Sequence, residues 1–283
     1  MIIDAILLQD ELALLEIRLN ELGSLIDQFV LIEMPYDIFG KDKPYISNKP
    51  KFKFIVEPYR NKVKVVRVTK APSGIGIGMA ASRLKIAIKT ALGLSTGSDI
   101  LMFSETWRIP KAKCVQEAIH YADSTHSLGC NPFWWSFWGQ GSSQVDLLKD
   151  GSVRTVDAGG GVLIGAAELA QGWGWENRQH FPCICDAGWA LRGFRAPQDA
   201  HLEFCSGSDR ELWGFPAYQT RECISQRKDA FNNPIQWIIP EESELPWYAW
   251  SNKETHLKSF FMNYQSHIDS LIKASICTRD LKS

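Results

Sequence analysis

"IIDAILLQDELALLEIRLNELGSLIDQFVLIEM" (Ile2 to Met34) contains the order of elements that decides the fold. Residues 1–8 are a mainly apolar run, typical of a short buried strand. Four leucines then recur at helical spacing, and Gly23 predicts the end of that helix: Leu12, Leu15, Leu19 and Leu22. A second apolar run over residues 25–34 predicts a strand that leads to Glu33. This strand–helix–strand order indicates two parallel strands joined by a helical crossover.

The same alternation continues along the chain. "KVKVVRV" (62–68) alternates with period two and predicts a third strand. "APSGIGIGM" (71–79) predicts a loop over the site, residues 80–92 a helix and "DILMFS" (99–104) a fourth strand. We therefore expect an α/β fold with a parallel sheet covered by helices. Ligands of such sheets bind beyond the carboxyl ends of the strands, where Glu33 and Glu105 lie.

"ILMFSETWRIP" (100–110) runs from an apolar strand into a polar cluster, and its Ile-Pro pair predicts a stop. Enzymes that bind nucleotide-diphosphate sugars often hold a metal with acids at such a strand end. Here the cluster has one acid, Glu105, one aromatic residue, Trp107, and one base, Arg108. A single carboxylate is a weak anchor for Mg²⁺ or Mn²⁺. The guanidinium of Arg108 is a planar fork suited to phosphate oxygens.

Composition limits the function classes. The formal net charge is −1, so whole-molecule attraction to nucleic acid or anionic membrane is not indicated. The charge is uneven, because residues 51–89 hold ten Lys and Arg against the single acid Glu57. That segment is either ordinary solvated surface or a face for a phosphate-bearing partner.

The compartment is suggested by the cysteines and the N-terminal segment. The seven Cys include no zinc-finger spacing, which favours reduced thiols. The N-terminal run has neither a signal-peptide pattern nor the length of a membrane span. We expect a soluble cytoplasmic protein, in the host cytoplasm if the source is a virus.

The later part of the sequence is less regular. "PKAKCVQEAIHYAD" (110–123) predicts a helix, and "FWWSFW" (133–138) is either core or, if exposed, a stacking platform for a sugar or a base. Residues 254–275 predict a terminal amphipathic helix. No repeat or clear linker interrupts the chain, so we expect a single domain over residues 1–283.

Several motifs make the chain similar to glycosyltransferase family 17, relatives of the enzyme that adds the bisecting N-acetylglucosamine to N-glycans. The opening strand, the helix "ELALLEIRLNEL" and the strand ending in Glu33 carry most of this resemblance. The F-x-G-K-x-K-P loop of the family is matched by Phe39, Gly40, Lys41, Lys43 and Pro44. "SETWRIP" (104–110) falls where the family shows S-D-V-D-E-I-P, and "DAGWALRGF" (186–194) where it shows F-A-G-W-H-C-S. The resemblance covers roughly residues 1–205.

The resemblance implies a GT-A-type, Rossmann-like, mostly parallel sheet flanked by helices. It implies an inverting transfer of a hexosyl or N-acetylhexosaminyl group from a nucleotide-diphosphate sugar, with a UDP-sugar favoured. The nucleotide sugar would occupy about residues 1–110 and the acceptor about residues 111–283. The leaving diphosphate needs positive charge, and the acceptor hydroxyl needs a base.

Two departures from the family motif affect this chemistry. D-V-D-E is replaced by residues 105–108, Glu-Thr-Trp-Arg, and the His after A-G-W is Ala190. We hypothesise that Arg108, with Lys41 or Lys43, does much of the electrostatic work of the metal. Glu105 would then hold a donor-sugar hydroxyl or a residual divalent metal, and the metal requirement stays open. The structural alternative is that Arg108 pairs with a nearby carboxylate while Trp107 fills the core.

The resemblance also supplies the remaining site candidates. Asp186 is the first choice for the catalytic base, with Asp209 and Glu203 in reserve, and Arg108 and Glu105 complete the catalytic set. Glu16 and Arg18 are expected to pair or pack within the first helix, although they recur near the donor site in the family. Glu33 is a candidate for the ribose or base of the nucleotide, and Trp189 for stacking on the sugar. The full donor-binding set is Glu33, Gly40, Lys41, Lys43, Arg83, Ser104 and Trp189.

The acceptor has two candidate classes, and two other functions stay open. The acceptor is either a bacterial or viral glycan or a hydroxymethylated base in DNA, for which the basic segment would contact phosphates. A degenerate transferase that binds nucleotide or glycan without turnover is one alternative. An interaction module with an aromatic surface is the other. The oligomeric state does not follow from the sequence.

Overall fold

The computed structural model describes residues 1–8, 11–36, 42–69, 77–121, 127–136, 145–147, 153–155, 162–168, 170, 183–192 and 245–257. The chain forms two compact units. One comprises residues 1–134 and 143–191, and the other comprises residues 135–142 and 192–283. The expectation of a single domain stays a prediction. Most of the described residues belong to the first unit, which holds most of the sheet.

Four parallel strands form the first half of the sheet, in the spatial order β3-β2-β1-β4. Their bounds are β1 Ile2–Leu8, β2 Gln28–Glu33, β3 Val63–Arg67 and β4 Ile100–Glu105. The helices of this unit are α1 Leu12–Leu22, α2 Pro50–Val56, α3 Ile77–Leu92 and α4 Ala112–Tyr121, with 3₁₀ turns at Ile46–Asn48 and Glu57–Tyr59. The predicted α/β fold, with parallel strands and flanking helices, is confirmed.

Further strands extend the sheet beyond β4. They are β5 Arg108–Pro110, β6 Ser127–Ser136, β9 Val162–Ala166 and β10 Cys183–Arg192. The order continues β4-β9-β6-β10-β5, and β9 is antiparallel to both β4 and β6. A separate antiparallel pair is formed by β7 Val145–Leu147 and β8 Val153–Thr155. Four parallel strands are thus continued by strands that include the antiparallel pairs β4–β9, β9–β6 and β10–β5.

The two faces of the parallel strands have separate hydrophobic cores. Ile6 and Leu8 of β1 pack with α1 and with the region around α2. Ala5 and Leu7 of the same strand pack with α3 on the opposite face. This division follows from the alternation of side chains along a strand. It also determines which end-of-strand residues can act together.

The glycine-rich loop is shorter than predicted. The sequence predicts a loop over residues 71–79, but α3 already begins at Ile77. The first turn of a helix needs no hydrogen bond to a preceding turn, so Gly78 is tolerated there. Residues 70–76 lie outside the described part of the chain.

The sequence predicts that the Ile-Pro pair stops a strand, but Ile109 and Pro110 themselves lie in a strand. Arg108–Pro110 forms β5, which pairs antiparallel with β10 through Gly188↔Pro110 and Ala190↔Arg108. β5 ends the strand order of the sheet, and proline is tolerated in such an edge strand because it needs no donor on its outer side. The segment containing the A-G-W motif is thereby joined to the polar cluster after β4.

Gly188 is required by the close approach of β5 and β10. A Cβ atom at this position would overlap the carbonyl oxygen of Ile109 and lie 2.6 Å from Pro110 Cα. Gly188→Ala is therefore expected to lower the free energy of unfolding by about 1–3 kcal/mol, the usual cost of overpacking. Urea unfolding of the purified variant measures this loss.

The control for Gly188→Ala is Gly93→Ala. A Cβ there would lie 3.5 Å from Thr90 O, which is ordinary van der Waals contact. We expect its unfolding midpoint to stay near that of the unchanged protein. Equal losses in the two variants would contradict a role for the β5–β10 approach.

The structure differs from the predicted C-terminal helix where that helix was expected to begin. A short helix, α5, spans Trp247–Ser251, and Glu254–Leu257 form turns where a helix was predicted from residue 254. Residues 258–275 of that prediction lie outside the described residues. The "FWWSFW" run lies in the backbone of β6 up to Ser136, and Phe137 and Trp138 lie outside the described residues. Among the helices within the described ranges, none combines the length and the apolar character of a membrane span.

Candidate functional site

The carboxyl ends of β1, β2 and β4 lie at one edge of the sheet. Leu8 of β1 is paired with Glu33 of β2, and Leu7 is paired with Glu105 of β4. The two acids therefore lie at the same edge, as the strand predictions imply. They are aligned with successive residues of β1, however, so they point to opposite faces of the sheet. Glu33 belongs to the α1 face and Glu105 to the α3 face.

Glu33 is fully buried and organises the loop that follows β2. Its Oε1 accepts hydrogen bonds from the backbone N–H groups of Ile46 and Ser47, the latter at 3.1 Å. Its Oε2 accepts one from Ser47 Oγ at 2.6 Å, and Arg67 donates to the same hydroxyl. The carboxylate thus fixes the 3₁₀ turn at 46–48. Its contact with a ribose or a base stays a prediction.

Glu33→Gln is expected to lower the free energy of unfolding by about 1–3 kcal/mol, because charge-assisted hydrogen bonds to buried donors are weakened. Denaturant unfolding is the measurement, with the exposed Glu57→Gln as the matched control. Weaker nucleotide binding with unchanged stability would contradict this structural role and support the ribose contact.

Arg18 occupies the centre of the α1 face and is completely buried. Its Nε and Nη2 donate to the two carboxylate oxygens of Asp4 in β1, at 2.9 and 2.6 Å. Its Nη1 donates to Ser104 Oγ at 2.7 Å, to Glu105 O at 3.0 Å and to Arg108 O at 2.7 Å. One guanidinium therefore joins β1 to both ends of the segment Glu105–Arg108, which we call the β4 turn.

The expectation that Arg18 pairs with Glu16 within its own helix is wrong, because the carboxylate partner of Arg18 is Asp4 of β1. A helix places residues two apart on different sides, whereas Asp4 lies directly beneath Arg18 on the sheet. Burial raises the pKa of the Asp4 carboxyl, and the Arg18 guanidinium acts against that shift. A second contact, from Thr106 Oγ1 to Leu7 O at 3.2 Å, also attaches the β4 turn to β1.

The two charged side chains of the β4 turn form an ion pair. Glu105 Oε2 lies 3.0 Å from Arg108 Nε, and both side chains are largely buried. The Arg108 guanidinium also lies 4.1 Å from the centroid of the Trp107 ring. Arg108 therefore pairs with a nearby carboxylate, as expected in the alternative to the hypothesis that it replaces the metal. It places the guanidinium against a carboxylate on one side and an aromatic face on another.

The described residues do not fit a divalent metal at this position. Glu105, the acid expected to bind one, directs its Oε2 to a permanent cation. Within the described ranges, no group of three His, Cys, Asp or Glu side chains is close enough to hold a metal ion. A second cation beside Arg108 would be repelled by it.

Arg83 adds a second buried guanidinium toward the same edge of the sheet. It lies one turn before Ala87, which packs on the α3 face, and its exposed fraction is 3%. α3 runs back along the sheet from β3 to β4, so its first turns lie toward the carboxyl ends of the strands. Arg83 and Arg108 are thus two buried guanidinium groups described on this side of the sheet, and a guanidinium suits phosphate oxygens.

The other predicted donor-binding residues are not all placed by the structure. Ser104 is buried and bonded to Arg18, and Trp189 is nearly buried in β10, with Lys111 Nζ 5.7 Å from its ring centroid. Lys43 donates its backbone N–H to Pro35 O at 2.7 Å. Gly40, Lys41, Asp209, Glu203 and the side chain of Asp186 lie outside the described residues. Asp186 itself belongs to β10.

Sequence reasoning missed Asp4 and Thr106 and understated Arg18. One signal could have identified the pair: Asp4 interrupts an apolar strand, and Arg18 lies among the buried leucines of the following helix. Two opposite charges at core positions of adjacent elements indicate a buried ion pair, since an unpaired buried charge is very costly. No comparable signal marks Thr106.

Comparison with known proteins supports the family interpretation. Residues 1–129 match the model of glycosyltransferase family 17, which confirms the resemblance over that range. The match supports a glycosyl transfer function and implies a nucleotide-sugar donor and an acceptor. The sequence matches no curated protein.

Two solved structures match parts of this chain at low identity and low TM-score. A mycobacterial protein is 14% identical with a TM-score of 0.35, over 60% of this chain and 54% of that one. The glucosyl-3-phosphoglycerate synthase of M. tuberculosis is 10% identical with a TM-score of 0.35, over 67% of this chain and 70% of that one. This chain therefore spans about half the length of the mycobacterial protein.

Proposed function

We propose that the protein transfers a sugar from a nucleotide-diphosphate sugar, with a UDP-sugar favoured, to an acceptor hydroxyl with inversion at the anomeric carbon. The transferred group is a hexosyl or N-acetylhexosaminyl unit. The acceptor oxygen attacks the anomeric carbon, the bond to the diphosphate breaks, and the hydroxyl proton passes to a carboxylate. Asp186 is the proposed base.

The observation that carries this proposal is the composition of the β4 turn, which lies within the family match. The family motif that this segment resembles has acids there, whereas this chain has Arg108 buried and paired with Glu105. Developing charge on a leaving diphosphate is stabilised by preorganised cations in a water-poor site. Arg108 and Arg83 are the described residues that can provide such charge. We therefore propose a transfer that does not depend on a divalent metal.

The roles of the neighbouring residues follow from this arrangement. Glu105 holds Arg108 in position and is proposed to accept a hydrogen bond from a hydroxyl of the donor sugar. Trp107 supports the Arg108 guanidinium. Trp189, which is paired with Ile109 in the β5–β10 ladder, is proposed to stack on the sugar. Lys41, Lys43 and Gly40 are proposed to contact the donor phosphates from the loop after β2.

A polyanionic acceptor, such as DNA with hydroxymethylated bases, is favoured by one described surface. Lys51 and Lys53 are exposed on α2, next to Phe54, whose exposed fraction is 79%. Exposed lysines around an aromatic side chain suit phosphate contacts and base stacking. A bacterial or viral glycan is the other acceptor class.

The test is a transfer screen read by mass spectrometry. Purified protein is mixed with UDP-, GDP- and TDP-sugars, with Mn²⁺ or with EDTA, and with oligosaccharides or hydroxymethylated DNA as acceptors. We expect turnover that survives EDTA. Strict dependence on Mn²⁺ would contradict the metal-independent mechanism. Nucleotide binding without any turnover would instead support a degenerate binding protein.

If no nucleotide sugar raises the melting temperature, the transferase proposal fails and an interaction module is favoured. A ligand at 100 times its Kd should stabilise the folded protein by about 2.7 kcal/mol. The screen therefore separates the three functions by two readouts, turnover and thermal stabilisation.

A further inference from the structure

We infer that Arg18 is a positioning residue for the proposed reaction: it fixes the β4 turn so that Glu105 and Arg108 are held in one geometry. This inference rests on the proposed function. Arg18 lies in α1, on the opposite face of the sheet from the Glu105 side chain. It acts through the backbone of the turn and not by contact with a substrate.

The first argument is the choice of acceptors. Arg18 Nη1 contacts Glu105 O at 3.0 Å and Arg108 O at 2.7 Å, the carbonyl groups at the two ends of the turn. Fixing both ends of a four-residue segment restricts the two residues whose side chains form the ion pair. Asp4 accepts only from Nε and Nη2, so the buried Nη1 protons are satisfied by β4 and its turn.

The second argument is the rigidity of the support. Asp4 binds Arg18 through both carboxylate oxygens from the middle of β1, which is paired with strands on each side. The planar fork of Arg18 is thereby held in one orientation. Ser104 Oγ, the third Nη1 partner at 2.7 Å, connects this fork to the last residues of β4.

The third argument is the precision that catalysis requires. Displacement of a catalytic group by about 1 Å can cost on the order of 100-fold in rate. The Glu105–Arg108 pair lies at the end of a strand, where a polar turn is otherwise free to shift. Arg18 and the Thr106 contact with β1 supply the supporting hydrogen bonds that such a site needs.

The test is a double-mutant cycle between this support and Arg108. The Asp4→Leu/Arg18→Met variant replaces the buried ion pair by apolar side chains, an exchange that can preserve stability. Arg108→Ala is introduced into the unchanged protein and into this variant, and kcat and KM are measured for each. We expect Arg108→Ala to lower kcat by roughly 100-fold or more in the unchanged protein, but by less than about 5-fold in the variant. Equal losses in both would overturn the inference.

A second readout does not depend on turnover. Amide hydrogen exchange of a peptide covering residues 104–110 is expected to be at least about 10-fold faster in the Asp4→Leu/Arg18→Met variant, with residues 28–33 unchanged. Unchanged exchange in the turn would overturn the positioning role. If the unchanged protein shows no transfer at all, the proposed function fails, while the exchange result still decides whether Arg18 fixes the turn.

If the Asp4→Leu/Arg18→Met variant does not fold, Arg18→Lys replaces it in both experiments. Lysine keeps the charge opposite Asp4, but one ammonium group cannot reproduce the fork that reaches Asp4 and both turn carbonyls. We expect the same two effects, faster exchange at 104–110 and a reduced penalty for Arg108→Ala. Native exchange and a full Arg108→Ala penalty in a folded Arg18→Lys protein would contradict the inference.

Discussion

Asp4→Ala is expected to lower the free energy of unfolding by about 3–5 kcal/mol, the largest stability effect that the structure predicts for a single substitution. The loss arises because the substitution leaves the positive charge of Arg18 without its carboxylate partner. Arg18 is fully buried, and Asp4 is its carboxylate partner at 2.6 and 2.9 Å. Without Asp4 the guanidinium remains in the core with carbonyl and hydroxyl acceptors but no counter-charge. Urea unfolding at neutral pH measures the loss.

Asp27→Ala is the matched control for Asp4→Ala. The Asp27 carboxylate also contacts β1, where it accepts the backbone N–H of Ile2 at 2.8 Å, but it is exposed. Its removal is expected to cost no more than about 1 kcal/mol. The paired replacement Asp4→Leu/Arg18→Met should recover most of the stability lost in Asp4→Ala. A comparable loss in the Asp4 and Asp27 variants would show that burial of the pair is not the cause.

Arg108→Ala is expected to lower the rate of sugar transfer by about 100- to 1000-fold, the usual effect of removing a preorganised group that stabilises transition-state charge. The loss should appear mainly in kcat, because the charge on the leaving diphosphate develops as the bond breaks. Arg108→Lys should recover only part of the rate, since an ammonium group lacks the planar fork. Initial rates with saturating donor, with EDTA and with Mn²⁺, are the measurements.

Arg60→Ala is an unusually close control for Arg108→Ala. Arg60 and Glu57 form an ion pair with the same sequence separation of three, at 3.1 Å, but both side chains are mostly exposed. Its removal should leave transfer to an oligosaccharide acceptor unchanged and alter stability by less than about 1 kcal/mol. An Arg108→Ala protein that is folded and transfers sugar at the normal rate would refute the proposed role of Arg108. Rescue of Arg108→Ala by Mn²⁺ alone would instead indicate a residual metal site.

The parts predicted best from the sequence are those governed by local periodicity. The apolar runs of β1, β2 and β4 and the leucine spacing of α1 are local patterns, and each predicted element is present in the structure. The placement of Glu33 and Glu105 at one sheet edge follows from the same patterns. The separation of Glu33 and Glu105 onto opposite faces of the sheet could not be predicted from these patterns. It depends on the register in which β1 pairs with β2 and with β4.

The parts that could not be predicted depend on contacts between distant segments. The partners of Arg18 lie 14 residues before it and 86 to 90 residues after it, beyond the range of any helical spacing rule. β5 was interpreted as a strand stop because Pro110 disfavours a central strand, and only the pairing with β10 shows that it is an edge. The Glu105–Arg108 pair was one of two interpretations that the sequence left open.

The long-range contacts of Arg18 also set the order in which this region can fold. β1, α1 and β2 are close in sequence and can associate early, with Asp4 and Arg18 already opposite each other. The turn partners of Arg18 arrive only after β4 has docked beside β1, which closes a loop of about a hundred residues. In folding kinetics, substitutions in the turn should therefore speed unfolding more than they slow folding. The geometry of the proposed site is completed late, after the scaffold that holds it.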